Sequence, residues 1–545
     1  MEKPWLQHYD AGVPASLNYP PQTVHGILEA TAACWGSQPA TCFADCFLSY
    51  SQINALADQL ARALLILGLQ KGDRVGLLLP NCPQFVLAFY AILKAGGVVA
   101  AINPQYRPRE LEAQLQDAGA EILISVRSAA QVIQSVQPHL NLRHIIWTDL
   151  EDAPALADRP SSLPAFYPAP EMDFLSILQV PLLPAALPVI TPEDVAVLQY
   201  TGGTTGTPKG AVGLHRNLAA NTLQFRCWLS GLTDGREVAL VAIPLFHVYG
   251  MVIGMSVSVA LGASMVLLPN GRDITAILQQ IEQYHATLFP GVPALYHAVN
   301  QYPDVLAGRY NLHSVKACIS GSAPLPVTVK AEFEQLTGGK VMEGYGLSEA
   351  PTATHCNPML GENRPGSIGL PLPDVDCRIV SMADGQTPLA VGEAGELLIR
   401  GPQVMQGYHN QPSETAAALA DGWLHTGDIT RMDADGYFYL VGRKKELIKV
   451  SGYQVWPAEV ESAIITHPAI KEVGVAGVPD EARGEAVKAW VVLHSGQSAT
   501  ADEIRQWCLD QLAHYKAPRE VIFVSALPRT PVGKLLRREL MNLTA

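Results

Sequence analysis

Between residues 51 and 67 the chain reads SQINALADQLARALLIL, with apolar side chains at Ile53, Leu56, Leu60, Leu64 and Leu67. Steps of three and four residues gather these onto one face of an α-helix. Ser49 or Ser51 is available as its cap and Gly68 as its stop. The pattern then changes. RVGLLLPN (74–81) is a continuous apolar run that ends at a proline, PQFVLAFYAILKAGG (83–97) has the length of a helix, and VVAAINP (98–104) is a second apolar run closed by proline. Apolar runs of strand length, separated by helices, predict parallel strands buried on both faces. The rhythm returns at ALVAI (239–243), SMVLL (264–268) and VKACIS (315–320). Residues 375–440 instead alternate short β-like runs with turns at Ala383-Asp384-Gly385 and Asp433-Ala434-Asp435-Gly436, which predicts a smaller β-rich subdomain. The basic cluster Arg443-Lys444-Lys445 opens a last stretch of α+β pattern. The expected class is α/β, with a large N-terminal domain over 1–442 (the β-rich part at about 375–440) and a small α+β C-terminal domain over 443–545.

Composition narrows the class. A chain of 545 residues, 48% hydrophobic and 16% charged, fits a well-packed enzyme with several domains' worth of core. A net charge of −13 argues against a general nucleic-acid binder. The nine cysteines are odd in number and form no C-x-x-C pair, so neither a disulfide framework nor a zinc site is expected. A reducing, cytoplasmic setting suits them. The N-terminus, MEKPWLQHYD, has no apolar core of a signal peptide. The stretch from about 150 to 190 is rich in Pro, Ala and Ser and reads as a surface connection. Residues 248–268 run for 21 positions without a charge, long enough to span a bilayer. Gly and Ser within it, and the lack of basic or aromatic flanks, favour a helix buried on all sides that leads into a strand.

YTGGTTGTPKG (200–210) packs four glycines and four threonines into eleven positions. Such a loop lets backbone N–H groups approach phosphates closely, with hydroxyls and a lysine as further donors. It is not a P-loop, because Lys209 follows a proline and Gly210 stands where Ser or Thr would be. Four more motifs follow in order: EGYGLSEA (343–350), GWLHTGD (422–428), GRKKELIKVSGYQVWPAEVE (442–461) and PRTPVGKLLRREL (528–540). Together the five resemble the signatures of the adenylate-forming superfamily of acyl- and aryl-CoA synthetases, luciferases and peptide-synthetase adenylation domains. The resemblance spans nearly the whole chain. With WLQHYDAGVP (5–14) and GSIGLPLPD (366–374) included, it is strongest toward bacterial long-chain fatty-acid CoA ligases.

That resemblance implies two half-reactions. A carboxylate joins the α-phosphate of ATP and releases pyrophosphate, and the thiol of coenzyme A then attacks the acyl-AMP. Thr201, Gly202, Gly203, Thr204, Thr205, Gly206 and Lys209 are implied to hold the phosphates. Gly321, Ser322 and Ala323 would lie against adenine and acyl group. Tyr345, within Glu343-Gly344-Tyr345-Gly346, would stack on adenine, and Ser348 would touch phosphate where most relatives have Thr. Glu349 and Thr204 are the implied Mg²⁺ ligands, a hard cation suited to oxygen. Asp428 would accept the ribose hydroxyls, with Arg443 beside ribose or phosphate. His247, in PLFHVYGM, would line the acyl site, and Lys534 would bridge the acid and the α-phosphate.

The resemblance further implies a mobile C-terminal domain that pivots at Lys445, bringing Lys449 and Gly452 to the thiol tunnel. Met251 stands where some long-chain members carry a gating Trp, a departure from a tryptophan-gated tunnel. The expected enzyme is a fatty acid CoA ligase for medium to long chains, using ATP, Mg²⁺ and coenzyme A as co-substrate. Its rivals are an aryl-CoA ligase, a luciferase-like oxygenase, an acyl-AMP ligase that loads a carrier protein, and an adenylate binder without turnover. No transmembrane span is expected. Peripheral membrane contact and the choice between monomer and homodimer stay open.

Overall fold

A computed structural model describes residues 3–157, 168–178, 186–201, 209–451, 453–480, 483–530 and 533–543. Gly202, Gly203, Thr204, Thr205, Gly206 and Gly452 lie outside the described residues, as does the side chain of Thr201 and part of the proline-rich stretch. The chain divides into two compact units, one of Leu6–Asp376 with Arg400–Gly422, the other of Met1–Trp5, Cys377–Ile399 and Trp423–Ala545.

The first unit is built on two mixed sheets. In the nine-stranded sheet, Pro39–Phe43, Ser264–Leu267, Val238–Val241, Leu288–Gly291, Ala317–Ser320 and Lys340–Leu347 run parallel in that spatial order. Antiparallel strands close it at both edges, Cys46–Ser49 on one side and Ala350–Cys356 with Leu370–Pro371 on the other. In the eight-stranded sheet, Val195–Thr201, Val98–Ala101, Arg74–Leu78, Ile122–Val126, His144–Thr148 and Glu171–Asp173 run parallel. Lys209–Leu214 returns antiparallel beside Val195–Thr201 and carries the two-residue strand Gly407–Tyr408 on its outer side.

The amphipathic stretch folds as the helix Tyr50–Ile66, and Ser49 is its cap: Ser49 Oγ accepts from the Gln52 amide while the Gln52 side chain accepts from the Ser49 amide. The next helix, Pro83–Lys94, is buried at every position. Its Lys94 ammonium is tied to Asp58 at 2.7 Å, Glu29 at 3.1 Å and Asn54 at 2.7 Å, as a buried charge requires. The long uncharged run is also core. It forms a wide π-helical stretch, Gly250–Ser256, and a short α-helix, Val257–Ala260, before entering the strand Ser264–Leu267. Among the described residues no helix is long and apolar enough to cross a membrane.

The second unit contains the β-rich part, a four-stranded sheet in the order Asp376–Val380, Gly395–Arg400, Leu424–Met432, Phe438–Arg443. The Asp433 turn is closed by its own carboxylate, which accepts from the Asp435 and Tyr437 amides. The rest is a five-stranded sheet, with Gly484–Leu493 between Ile470–Asp480 and the parallel strand Glu520–Phe523, and with Ile448–Val450 and Tyr453–Val455 beyond. Ile448, Val450, Val460, Ile464, Val475 and Val487 pack in its own hydrophobic core.

Candidate active site

The strand Lys340–Leu347 and its antiparallel return Ala350–Cys356 carry the EGYGLSEA residues, with Ser348 and Glu349 in the turn between them. Tyr345 is buried opposite His355, their rings 5.8 Å apart and edge to face. His355 was not singled out in the sequence. Burial holds its imidazole down at about 3, so it stays neutral, and its Nδ1 meets the Thr354 hydroxyl at 2.9 Å. Gly346 sits where the two strands touch, since a Cβ there would lie 1.6 Å from the Thr352 carbonyl oxygen. The glycine is a packing requirement of the turn.

Glu343 faces inward. Its carboxylate accepts from the Gly366 amide at 2.9 Å and the Leu325 amide at 3.4 Å, thereby tying GSIGLP and GSAPLP to the same strand. Burial raises its pKa against those two bonds, and burial lowers that of the nearby Lys330, which donates to the Val341 carbonyl and to Asn363. Gly321, Ser322 and Ala323 follow directly from the strand Ala317–Ser320, and Ser322 has φ of 72°, a left-handed conformation unusual for a residue with a Cβ. Beneath them the buried Tyr249 donates to the Ile319 carbonyl at 2.6 Å and the Gly291 carbonyl at 3.1 Å.

His247 is half-buried, and its Nδ1 accepts from the Tyr249 amide at 3.2 Å. The turn that presents it is held from the other sheet. Asn81, just past the strand Arg74–Leu78, donates to the carbonyls of Val241 and Ile243 and accepts from the Leu245 amide. Gln199 adds a longer bond to the Phe246 carbonyl, and its own Oε1 is buried with no partner among the described residues. Sequence reasoning missed Asn81; its only signal was an Asn directly after a strand-ending proline.

Thr201 ends the strand that leads into the glycine-threonine loop, and Lys209 begins the strand that leaves it, paired with Thr201 in register. The Lys209 side chain is 14% exposed, forms an ion pair with Glu414 and lies 5.4 Å from the centre of the Tyr408 ring. Tyr408 also escaped the sequence reading. Its hydroxyl donates to Glu349 Oε1 at 2.7 Å, and burial, then the Glu349 charge, raise its pKa. The first unit therefore brings Lys209, Tyr408 and Glu349 together. A half-buried carboxylate in that position offers the hard oxygen donor that Mg²⁺ takes, and the described residues contain no cluster of three or more His, Cys, Asp or Glu for a different kind of metal.

The second unit holds the other candidates. Asp428 and Arg443 face each other across adjacent strands, with Arg443 Nε 2.8 Å from Asp428 Oδ1 and the carboxylate 2% exposed. Lys444 pairs with the buried Glu396 at 2.7 Å, and Glu446 pairs with Arg537 at 2.9 Å. Lys445, between them, is exposed, and so is Lys449, whose amide is held by Glu485. Lys534 is half-buried in a tight turn that Thr530 closes.

Residues 28–409 match the AMP-binding enzyme family, and residues 459–534 match the AMP-binding enzyme C-terminal domain. The chain is 43% identical to the long-chain-fatty-acid–CoA ligase of Bacillus subtilis, across 99% of this chain and 98% of that protein. Among solved structures it is similar to ATP-bound MatB from Rhodopseudomonas palustris, with a TM-score of 0.84 and 29% identity over 96% of this chain and 99% of that one. It is also similar to the anthranilate CoA ligase AuaEII in complex with anthranoyl-AMP, with a TM-score of 0.83 and 28% identity over 96% and 98% of the two chains.

Proposed function

The chain belongs to the AMP-binding enzyme family as an acid–thiol ligase that uses ATP and coenzyme A, and we propose that its acid is an unsubstituted medium- to long-chain fatty acid. The observation that carries this reading is 43% identity, over nearly the full length of both proteins, to a long-chain-fatty-acid–CoA ligase. The uncharged run after His247 supports it, because a site built from such residues cannot pair a second carboxylate or an ammonium. Each CH₂ removed from water contributes about 0.8 kcal/mol, so selectivity rises with chain length until the site ends.

In the first half-reaction a carboxylate oxygen of the acid attacks the α-phosphorus, the bond to the bridging oxygen breaks, and pyrophosphate leaves. Lys534 bridges the acid and the α-phosphate and offsets the charge that grows there. The 201–209 loop holds the outer phosphates, while Glu349 and Thr204 are the residues that would hold Mg²⁺, which neutralises phosphate charge when bound. Tyr345, flanked by Gly344 and Gly346, and the Gly321-Ser322-Ala323 loop take the adenine, and Asp428 and Arg443 take the ribose. In the second half-reaction the thiolate attacks the acyl carbon and AMP departs. For that second step the segment from 443 onward first pivots at Lys445, withdrawing Lys534 and presenting Lys449 and Gly452.

The test is CoA-dependent AMP formation with octanoate, palmitate, 4-coumarate and malonate under matched conditions. Palmitate or octanoate should give the highest kcat/KM and malonate the lowest. A second reading, an aryl-CoA ligase, is favoured by the similarity to the anthranilate enzyme, and a highest kcat/KM with 4-coumarate would install it. Acyl-AMP that accumulates and is not passed to CoA would point instead to a carrier-protein acceptor.

A further inference from the structure

The segment from Met405 to His409 touches both Glu349 and the strand that follows the glycine-threonine loop. The Met405 amide donates to the Glu349 carbonyl at 2.8 Å, and the Tyr408 hydroxyl donates to the carboxylate of the same residue at 2.7 Å. On the other side, Gly407 and Tyr408 pair with Val212 and Ala211, and the His409 amide donates to the Gly210 carbonyl. These are the residues by which the chain leaves the glycine-threonine loop. The ring of Tyr408 lies below the Lys209 ammonium. The strap is itself anchored, because Thr415 Oγ1 accepts from the Tyr408 amide at 2.8 Å. Gly407 adopts φ of 155° against Thr415, where a Cβ would meet the Thr415 methyl at 2.5 Å.

A hydrogen bond to one carboxylate oxygen uses one of its lone pairs and fixes the group's orientation, so the other oxygen becomes the better donor to a cation. Among the described residues, Glu349 Oε1 takes the Tyr408 hydroxyl, and Oε2 accepts no hydrogen bond. Mg²⁺ is small, keeps most of its water, and binds well to single carboxylate oxygens together with phosphates. Ca²⁺ is larger, and it gains from a carboxylate that offers both oxygens. We propose that Tyr408 is a positioning residue that selects the metal: by donating to Oε1 it biases Glu349 toward ligation through the other oxygen, which favours Mg²⁺ and disfavours Ca²⁺. The inference rests on the reading of Glu349 as a metal ligand.

Tyr408→Phe removes the hydroxyl and keeps the ring under Lys209, so it isolates the contact. The first readout is the displacement of bound Mn²⁺ by Mg²⁺ and by Ca²⁺ on the enzyme with ATP and no acid, followed by electron paramagnetic resonance. The second is the Mg²⁺ dependence of AMP formation, and the third is Tm. Tyr408→Phe should shift the Mg²⁺-over-Ca²⁺ preference by roughly tenfold toward Ca²⁺, the scale of one hydrogen bond to a charged group, and raise the Mg²⁺ needed for half-maximal rate with kcat less affected. Its Tm should stay within a few degrees of the parent. An unchanged metal preference, or weaker binding of both metals in equal proportion, overturns the proposal. Glu349→Gln separates the two levels. If Glu349→Gln abolishes Mn²⁺ binding while Tyr408→Phe leaves the preference intact, only the selectivity role fails. If Glu349→Gln binds Mn²⁺ normally, the metal-ligand reading fails with it.

Discussion

A lysine close to a chain end is ordinarily a solvated charge, and Lys534 differs in how its backbone is held. The Thr530 hydroxyl accepts from its amide at 3.0 Å, and the Thr530 amide donates to its carbonyl at 2.8 Å. Arg529 clamps the same turn through the Gly533 carbonyl and Glu472. A side chain fixed at its base loses less freedom when it reaches a developing charge. Lys534→Ala should therefore cut acyl-AMP formation by about 100-fold or more, while thioester formation from supplied acyl-AMP stays near the parent rate. Equal losses in both half-reactions would remove Lys534 from its role in adenylation alone. Gly346 and Gly344 make a second comparison, because they share a strand and differ in space. A Cβ at 344 would meet its nearest neighbour at an ordinary 3.4 Å, against 1.6 Å at 346. Gly346→Ala should cost about 3 kcal/mol, seen as a lower Tm and a weaker apparent ATP affinity, and Gly344→Ala should be far milder. Equal tolerance at both positions would show that the strand pair relaxes freely.

Among the elements, those written as local patterns were legible. Tyr50–Ile66 is announced by apolar spacing, a serine cap and Gly68 as its stop, and Arg74–Leu78 and Val98–Ala101 by apolar runs that stop at proline. The order of strands was not legible. Arg74–Leu78 lies between Val98–Ala101 and Ile122–Val126, and strands buried on both faces are uniformly apolar, so they carry no mark of which neighbour they prefer. The same uniformity hid the π-helical form of Gly250–Ser256, which was read only as buried helix. In the site, the glycine-threonine loop and EGYGLSEA are contiguous motifs and stood out. Asn81 and Tyr408 act on residues 160 and 59 positions away, and beyond the proline before Asn81 nothing local marks them. At Lys445 the element itself is the test. Lys445→Pro fixes φ near about −65° and should spare adenylation while thioester formation falls. Parent-like rates for both would move the pivot elsewhere.

Acid should destabilise the whole molecule through its buried histidines. Burial holds His215 and His355 at about 3, below the ordinary 6.5, and it lowers His25 as well. The unfolded chain then binds more protons than the folded one between pH 6.5 and about 3. The stability of the neutral, buried rings is fully present above pH 6.5 and is lost as pH falls through that window, by up to about 1.4 kcal/mol per pH unit for each histidine. His355→Gln should flatten the fall of Tm between pH 7 and pH 5, and an unchanged slope would mean that other groups dominate acid unfolding. The charged link at residues 443–446 matters to the molecule in another way. Arg443 is paired with the buried Asp428 and is half-buried itself, whereas Lys444, although paired with Glu396, and Lys445 are both exposed. To trypsin these are three adjacent basic sites, of which the native fold exposes two. Brief digestion should nick the chain after Lys444 or Lys445 and release a C-terminal fragment that keeps its own core of Ile448, Val460, Val475 and Val487. The rate of cutting at this link then becomes a clock for how often it opens far enough to enter a protease.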